Sequence, residues 1–339
     1  MIFVIYSFGL LFFIFLLNKF LIKKNILISE TGDRHQRFAS KSNIPLTGGL
    51  LIFLSFLYFL NHNILSLILF SFLILVLGIC SDLKLIESAF KRFLFQISLV
   101  LFFIIFNDIQ ILDTRIDLLD KVLSISIFNY FFISFCVLIV INGSNFIDGL
   151  NTLNIGYYLL VSLIIFYLNL DQQILINQIS IDYFIIFLSL VFLLNLTNKI
   201  YLGDSGSYLL GFIFSIFLIS IYNWNKGISP FFIILLLWYP CYETLFSIIR
   251  KNTLKRSPMS PDSNHLHQLI FFYVKKNFRL KVFSANLLTA NIINFYNLLI
   301  FLIGLNFISN TQIQILLILL NLVMYTVIYF KAFIFKIKK

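Results

Sequence analysis

Charge is what this chain has least of. Only 12% of its 339 residues are Asp, Glu, Lys or Arg, about half of the roughly 25% found in a soluble domain. With 60% hydrophobic residues and a mean hydropathy of +0.98, this scarcity excludes a water-soluble globular protein, so chain length cannot be used to count soluble domains. Cysteine is nearly absent too. Cys80, Cys136 and Cys241 lie in or beside apolar runs with no CxxC spacing. That excludes a disulfide framework and a zinc cluster, and leaves buried reduced thiols. Basic residues are missing before Lys19. The first 22 residues therefore lack the charged start of a cleavable leader and read as a retained first span. There is no internal repeat.

What the chain does have is apolar runs of membrane-crossing length, which takes about 17–25 residues. Eleven are legible, at about 2–22, 46–61, 63–80, 92–107, 127–143, 152–169, 181–197, 205–223, 229–249, 292–308 and 312–334. The pattern predicts an all-α, polytopic integral membrane protein of about ten or eleven transmembrane helices, forming one domain over 1–339.

The connections alternate sharply in charge. Lys23, Lys24, Arg34, Arg37 and Lys41 follow the first run, and Lys84, Lys91 and Arg92 follow the third. Lys199 follows the seventh, and eight basic residues from Arg250 to Lys281 follow the ninth. With Lys19 and the four tail lysines, 22 of 25 basic residues fall on one side; only Arg115, Lys121 and Lys226 fall on the other. The positive-inside rule then predicts an external N-terminus and a cytoplasmic C-terminus. The net charge of +11 is accounted for by topology and anionic lipid, and nucleic acid is not a predicted partner.

Polar, glycine-bearing segments interrupt this pattern on the predicted cytoplasmic side. They are NGSNFIDGLNTL at 142–153, YLGDSGS at 201–207 and SPMSPDSNHLH at 257–267, with Ser81-Asp82 closing the third run. Polar irregular backbone at a membrane is tolerated chiefly where it lines a cavity or a site. Asp204, flanked by Gly203 and Gly206, leaves room for a phosphate or metal, and it would equally cap the following helix. Asn142, Asn145, Asp148 and Asn151 recur every three residues. On a helical turn they share a face able to bind a nucleotide, where a plain turn would need only one or two such caps. Asp82 reads as a metal-side or positioning carboxylate, with a helix cap as the alternative. The spacing of His265 and His267 is loop-like, and no further zinc ligand is near. Single basic residues are read first as surface anchors. The segment PLTGG at 45–49 is a candidate for close helix packing. Asp108, Asp113, Asp117 and Asp120 read as a solvated external loop.

Taken in order, the segments 45–49, 81–82, 142–153, 201–207 and 257–267 resemble the polyprenyl-phosphate N-acetylhexosamine-1-phosphate transferases, of the glycosyltransferase family 4 type. The PDSNHLH form is more like the branch that initiates surface polysaccharides such as lipopolysaccharide O-antigen. The resemblance implies transfer of a sugar-1-phosphate from a UDP-sugar to undecaprenyl or another polyprenyl phosphate, with Mg2+ as cofactor and release of UMP. The setting it implies is a bacterial inner membrane, with the site on the cytoplasmic face. It makes Asp204 the magnesium ligand. Asp82, Asp148, His265 and His267 join the catalytic set, and Asn142, Asn145, Asn151, Lys41 and Arg256 join the substrate-binding set. Two positions depart from the family pattern: Ser81 stands where an aspartate is usual, and Asn151-Thr152 replaces a second Asp-Gly pair. The first departure matters little to a general-base argument, because a phosphate monoester is largely dianionic at neutral pH.

Two other classes compete. A transporter would show repeated halves or charges spread across the midplane, and Glu243 is the only plain carboxylate well inside a run. A CDP-alcohol phosphotransferase would need an Asp-Gly-x-x-Ala-Arg start, which the sequence following Asp148-Gly149 does not provide. A catalytically degenerate homologue is the third alternative, and a homodimer is left open.

Overall fold

A computed structural model describes residues 2–29, 43–59, 65–172, 181–257 and 262–338. Among them the chain is all α, with one isolated antiparallel bridge between Ile28 and Pro45. The helices are α1 (Ile2–Lys24), α2 (Gly48–Phe59), α3 (Leu65–Asp82), α4 (Ala89–Phe106), α5 (Asp117–Leu123), α6 (Ser126–Ile147) and α7 (Leu153–Gln172). After them come α8 (Ile181–Leu196), α9 (Gly203–Trp224), α10 (Pro230–Leu236), α11 (Trp238–Thr253), α12 (Leu266–Asn277), α13 (Val282–Asn306) and α14 (Thr311–Ile337). Helix is the form that satisfies every backbone group within its own segment, as lipid requires.

Seven of these helices are long and apolar enough to cross a membrane, and the bent pair α10–α11 makes an eighth. Three shorter apolar helices, α2, α7 and α8, occupy the three remaining predicted runs. The protein is a polytopic membrane protein. Three boundaries differ from the sequence pattern. Helix α6 continues through Asn142 and Asn145 to Ile147, so these asparagines sit on a helix end and not in a loop. Helix α13 begins at Val282, ten residues before the predicted run at 292. The run at 229–249 is not one straight span: it bends by 74° between α10 and α11.

The bend has a local cause. A continuous helix would require Pro240 to donate to the carbonyl of Leu236, and proline has no N–H to give. Helix α11 instead restarts at Trp238, which places Pro240 in the first turn, where proline is tolerated. The released Leu236 carbonyl accepts a hydrogen bond from the Tyr157 hydroxyl at 2.8 Å.

Helix α9 is the axis of the bundle. Its apolar window is 89% buried, against 17% for α1 and 22% for α4 and α14, which turn their apolar faces outward. It packs on α3, α6 and α2, and the approach is close because small residues line the seam. A Cβ on Gly49 would lie 2.6 Å from the Gly206 nitrogen, and one on Gly78 would lie 2.3 Å from the Ser205 Cα. At the far end Arg115 clamps three connections. It donates to the carbonyls of Ser309 (2.8 Å), Lys226 (3.2 Å) and Ile228 (3.1 Å), and to the Thr311 hydroxyl (2.8 Å). That end carries none of the polar motifs.

Candidate functional site

The motifs converge at the end of the bundle where α3 and α6 finish and α4 and α9 begin. Asp204 opens α9. Its entry is fixed by Gly203, which takes a left-handed φ of +68° that L side chains rarely adopt. The preceding segment is held by backbone pairing: Tyr201 N–H donates to the Pro45 carbonyl (2.9 Å), and Gly48 N–H donates to the Tyr201 carbonyl (3.0 Å). The segment at 45–49 thus sets the position of the Asp204 turn as well as allowing close packing.

Asp82, at the end of α3, caps α9 from a neighbouring helix. Its carboxylate accepts the backbone N–H groups of Asp204 (2.8 Å) and Ser205 (3.1 Å). These are two of the donors that a helix N-terminus leaves unpaired, and negative charge is favoured there. The cap role weighed for Asp82 from sequence is real, but it serves α9 and not the helix that carries Asp82.

The Asp204 side chain is a quarter exposed. Asn145 donates to its Oδ1 at 2.6 Å. Its Oδ2 meets the Arg92 guanidinium at 3.1 Å, the Tyr208 hydroxyl at 3.2 Å and the Ser81 hydroxyl, which also accepts from Arg92. Ser81 therefore bridges a cation and a carboxylate. Asp148 follows the last turn of α6 as its C-cap. Burial pushes its carboxyl well above the usual carboxylate range, and the charges of Asp204 and Asp82 add to the shift.

This donor set fits one divalent cation. Three carboxylates, Asp82, Asp148 and Asp204, lie near one another, and one guanidinium, Arg92, pairs with Asp204 alone, so the site is short of positive charge. Among the described residues no group of three or more His, Cys, Asp or Glu side chains could hold a metal alone. Magnesium takes one or two protein carboxylates and completes its shell with water and phosphate oxygens, so it does not require such a group. Asp204 is a quarter exposed and is the carboxylate that pairs with Arg92.

The remaining predicted residues are placed as follows. Asn142 donates to Gln96 Oε1 on α4 (3.0 Å) and to the Leu138 carbonyl (2.8 Å), so it points away from Asp204. Asn151 is buried in an amide network: it donates to Asn198 Oδ1 (2.6 Å), and its backbone N–H donates to Asn286 Oδ1 (2.9 Å). The single asparagine face expected from the three-residue spacing does not form, because the helix ends at Ile147 and Asn151 lies in the turn beyond it. His265 precedes α12, and its Nδ1 lies 2.9 Å from Glu243 Oε1. His267 is fully buried, and a Cβ on Gly149 would lie 2.4 Å from its Nε2. Burial pulls His267 down to about 3, so it is neutral at physiological pH. Arg256 is exposed beyond α11. Lys41 lies outside the described residues.

Sequence reasoning passed over three neighbours of these groups. Arg92 was grouped with the surface anchors, although it lies in the first turn of α4 and 3.1 Å from Asp204. Tyr208 is four residues after Asp204, on the same helix face. Glu243 was noted only as an isolated carboxylate.

Residues 64–222 match glycosyl transferase family 4. This stretch, a little under half of the chain, is similar to that family. The matched region holds Asp82, Arg92, Asn145, Asp148 and Asp204, and stops before Glu243 and the histidines. Two curated relatives are similar over about two thirds of their length. One is the undecaprenyl-phosphate alpha-N-acetylglucosaminyl 1-phosphate transferase of Thermotoga maritima, 28% identical over 67% of each chain. The other is a probable undecaprenyl-phosphate N-acetylglucosaminyl 1-phosphate transferase of Bacillus subtilis strain 168, 25% identical over 68% of this chain and 66% of the relative.

Proposed function

We propose that this protein transfers N-acetylhexosamine-1-phosphate from a UDP-sugar to undecaprenyl phosphate, releasing UMP and starting a lipid-linked surface glycan. The observation that carries the reading is the Asp204 carboxylate. It is partly exposed, held by Asn145, Ser81 and Arg92, and mounted on a helix start that Asp82 caps. The two relatives named for such a transfer support it.

Phosphoryl transfer asks mainly for positioning and charge neutralisation. Asp82 fixes the α9 N-terminus and so the Asp204 turn. Asn145 and Ser81 orient the Asp204 carboxylate, and Arg92 supplies a guanidinium suited to phosphate oxygens. Magnesium, when bound at Asp204, would neutralise the diphosphate of the donor. The acceptor phosphate is already mostly ionised at neutral pH, so the missing aspartate at Ser81 does not deprive the reaction of a needed base. His265 is assigned to the donor phosphates, and His267 to support of the turn at Gly149. The test is purified protein with undecaprenyl phosphate, magnesium and a panel of UDP-sugars, read as UMP release. Release with no UDP-sugar in the panel would favour the degenerate-homologue reading.

Two expectations accompany this reading. Magnesium binding, read as a rise in the unfolding midpoint without substrates, should strengthen as pH rises. The raised Asp148 carboxyl keeps a proton to higher pH than an ordinary carboxylate. A cation must displace that proton at low pH and need not at high pH. A magnesium effect that does not vary with pH would remove Asp148 from the cation's surroundings. The basic face is assigned to the cytoplasm of a bacterial inner membrane. A reporter fused after Lys339 should therefore read cytoplasmic, and one inserted near Asp117 external; the same side for both would overturn the assignment.

A further inference from the structure

We infer that Glu243 is a positioning residue for His265, fixing which ring nitrogen faces the substrate; this rests on the phosphotransferase reading of the site. Glu243 lies on α11 and is 1% exposed. A carboxylate so placed in a membrane protein is costly unless paired. Its Oε1 faces His265 Nδ1 at 2.9 Å and the Leu266 backbone N–H at 3.4 Å. One oxygen thus holds both the ring and the first turn of α12. The His265 backbone N–H is held in turn by Gln268 Oε1 at 3.3 Å.

The ring is held on its faces as well. The Phe146 ring lies 5.0 Å from that of His265, and the His267 ring is stacked 5.8 Å away. Phe146 adjoins Asn145, the residue bonded to Asp204, and His267 packs beneath Gly149, next to Asp148. The histidine is therefore built into the same end of α6 as the carboxylates. The 74° bend before α11 sets the course of the helix that carries Glu243.

A carboxylate facing Nδ1 makes that nitrogen the donor. It leaves Nε2 as the atom that meets a phosphate. The other charged groups around this ring are Asp262, Arg250, which is paired with Asp262, and Lys251, which lies over the Phe146 ring at 5.7 Å. The glutamate makes no contact with substrate in this account; it acts only through His265.

The test compares the parent, Glu243→Gln, Glu243→Asp, His265→Gln and the Glu243→Gln/His265→Gln pair. For Glu243→Gln we expect kcat to fall about 10–100-fold, the range for partners that orient a functional group. Glu243→Asp, which keeps a carboxylate to accept from Nδ1, should recover part of that loss. The double variant should be no slower than His265→Gln alone, since the two residues act as one unit. Additive losses, or a Glu243→Asp variant no faster than Glu243→Gln, would overturn the inference. Nitrogen-15 spectra of the four histidines, assigned by difference with His265→Gln, read the tautomer without any turnover. A proton on Nδ1 of His265 in the parent is expected, and its absence would overturn the dyad even in an inactive protein. Failure of the parent to release UMP would instead sink the functional reading and leave the spectra to decide the dyad.

Discussion

Asp204→Asn is expected to lower UMP release by more than about 100-fold, the upper end of the range for residues that only orient a ligand, while the protein keeps its fold. An amide retains one oxygen for the Asn145 bond, but its NH2 group cannot accept from Arg92, Ser81 and Tyr208 as Oδ2 does. It loses the charge that faces Arg92 and is a poor ligand for a hard divalent cation. The Arg92–Asp204 pair is about a quarter exposed on each side, so its loss costs little stability, at most about 1 kcal/mol. The helix cap is untouched, because it is the Asp204 backbone N–H that binds Asp82. The variant therefore separates the two readings weighed for Asp204. Turnover near the parent level at ordinary magnesium would make this residue a structural helix-start group and withdraw it as the metal ligand. Magnesium should also cease to raise the unfolding midpoint in the variant.

Gly78→Ala should be among the most damaging single-methyl changes in the bundle. An added Cβ would fall 2.3 Å from the Ser205 Cα, 2.6 Å from the Ser205 nitrogen and 2.9 Å from the Asp204 carbonyl carbon. All three are backbone atoms of the α9 start, so no flexible side chain can move aside. Overpacking of this kind costs about 1–3 kcal/mol or more, which outweighs the ~0.5–1 kcal/mol that alanine gains over glycine in a helix. Relief requires α9 to move away from α3, which loosens the Asp82 cap and shifts Asp204. Both the thermal midpoint and UMP release should fall. Gly9→Ala is the control: nothing lies within 4 Å of its added Cβ, so stability should be unchanged or slightly higher. Equal behaviour of the two variants would mean that α3 and α9 are not in close contact.

Asp204, Asp82, Asn145 and Asp148 were legible because polar groups are conspicuous against an apolar background. The eleven apolar runs were legible for the same reason. Arg92 was not singled out, because a basic residue near a membrane surface has a common explanation, and only its distance to Asp204 removes it. Asn142 and Asn151 were over-read: a three-residue repeat implies a shared face only while the helix lasts, and α6 ends at Ile147. Glu243 was visible as an isolated carboxylate, but its partner is 22 residues away in sequence.

By itself, the sequence determined that the chain is an all-α membrane protein, because lipid leaves hydropathy and backbone hydrogen bonding few other solutions. It also determined which short polar segments interrupt the apolar pattern. The tertiary structure decided what each carboxylate does. Asp82 spends both oxygens on the backbone of α9, Asp204 stays partly exposed beside Arg92, and Glu243 holds a histidine. These roles depend on contacts between helices far apart in the chain. Their geometry is set by glycine seams and by the bend that Pro240 forces, and neither the partner nor the distance is encoded in local spacing.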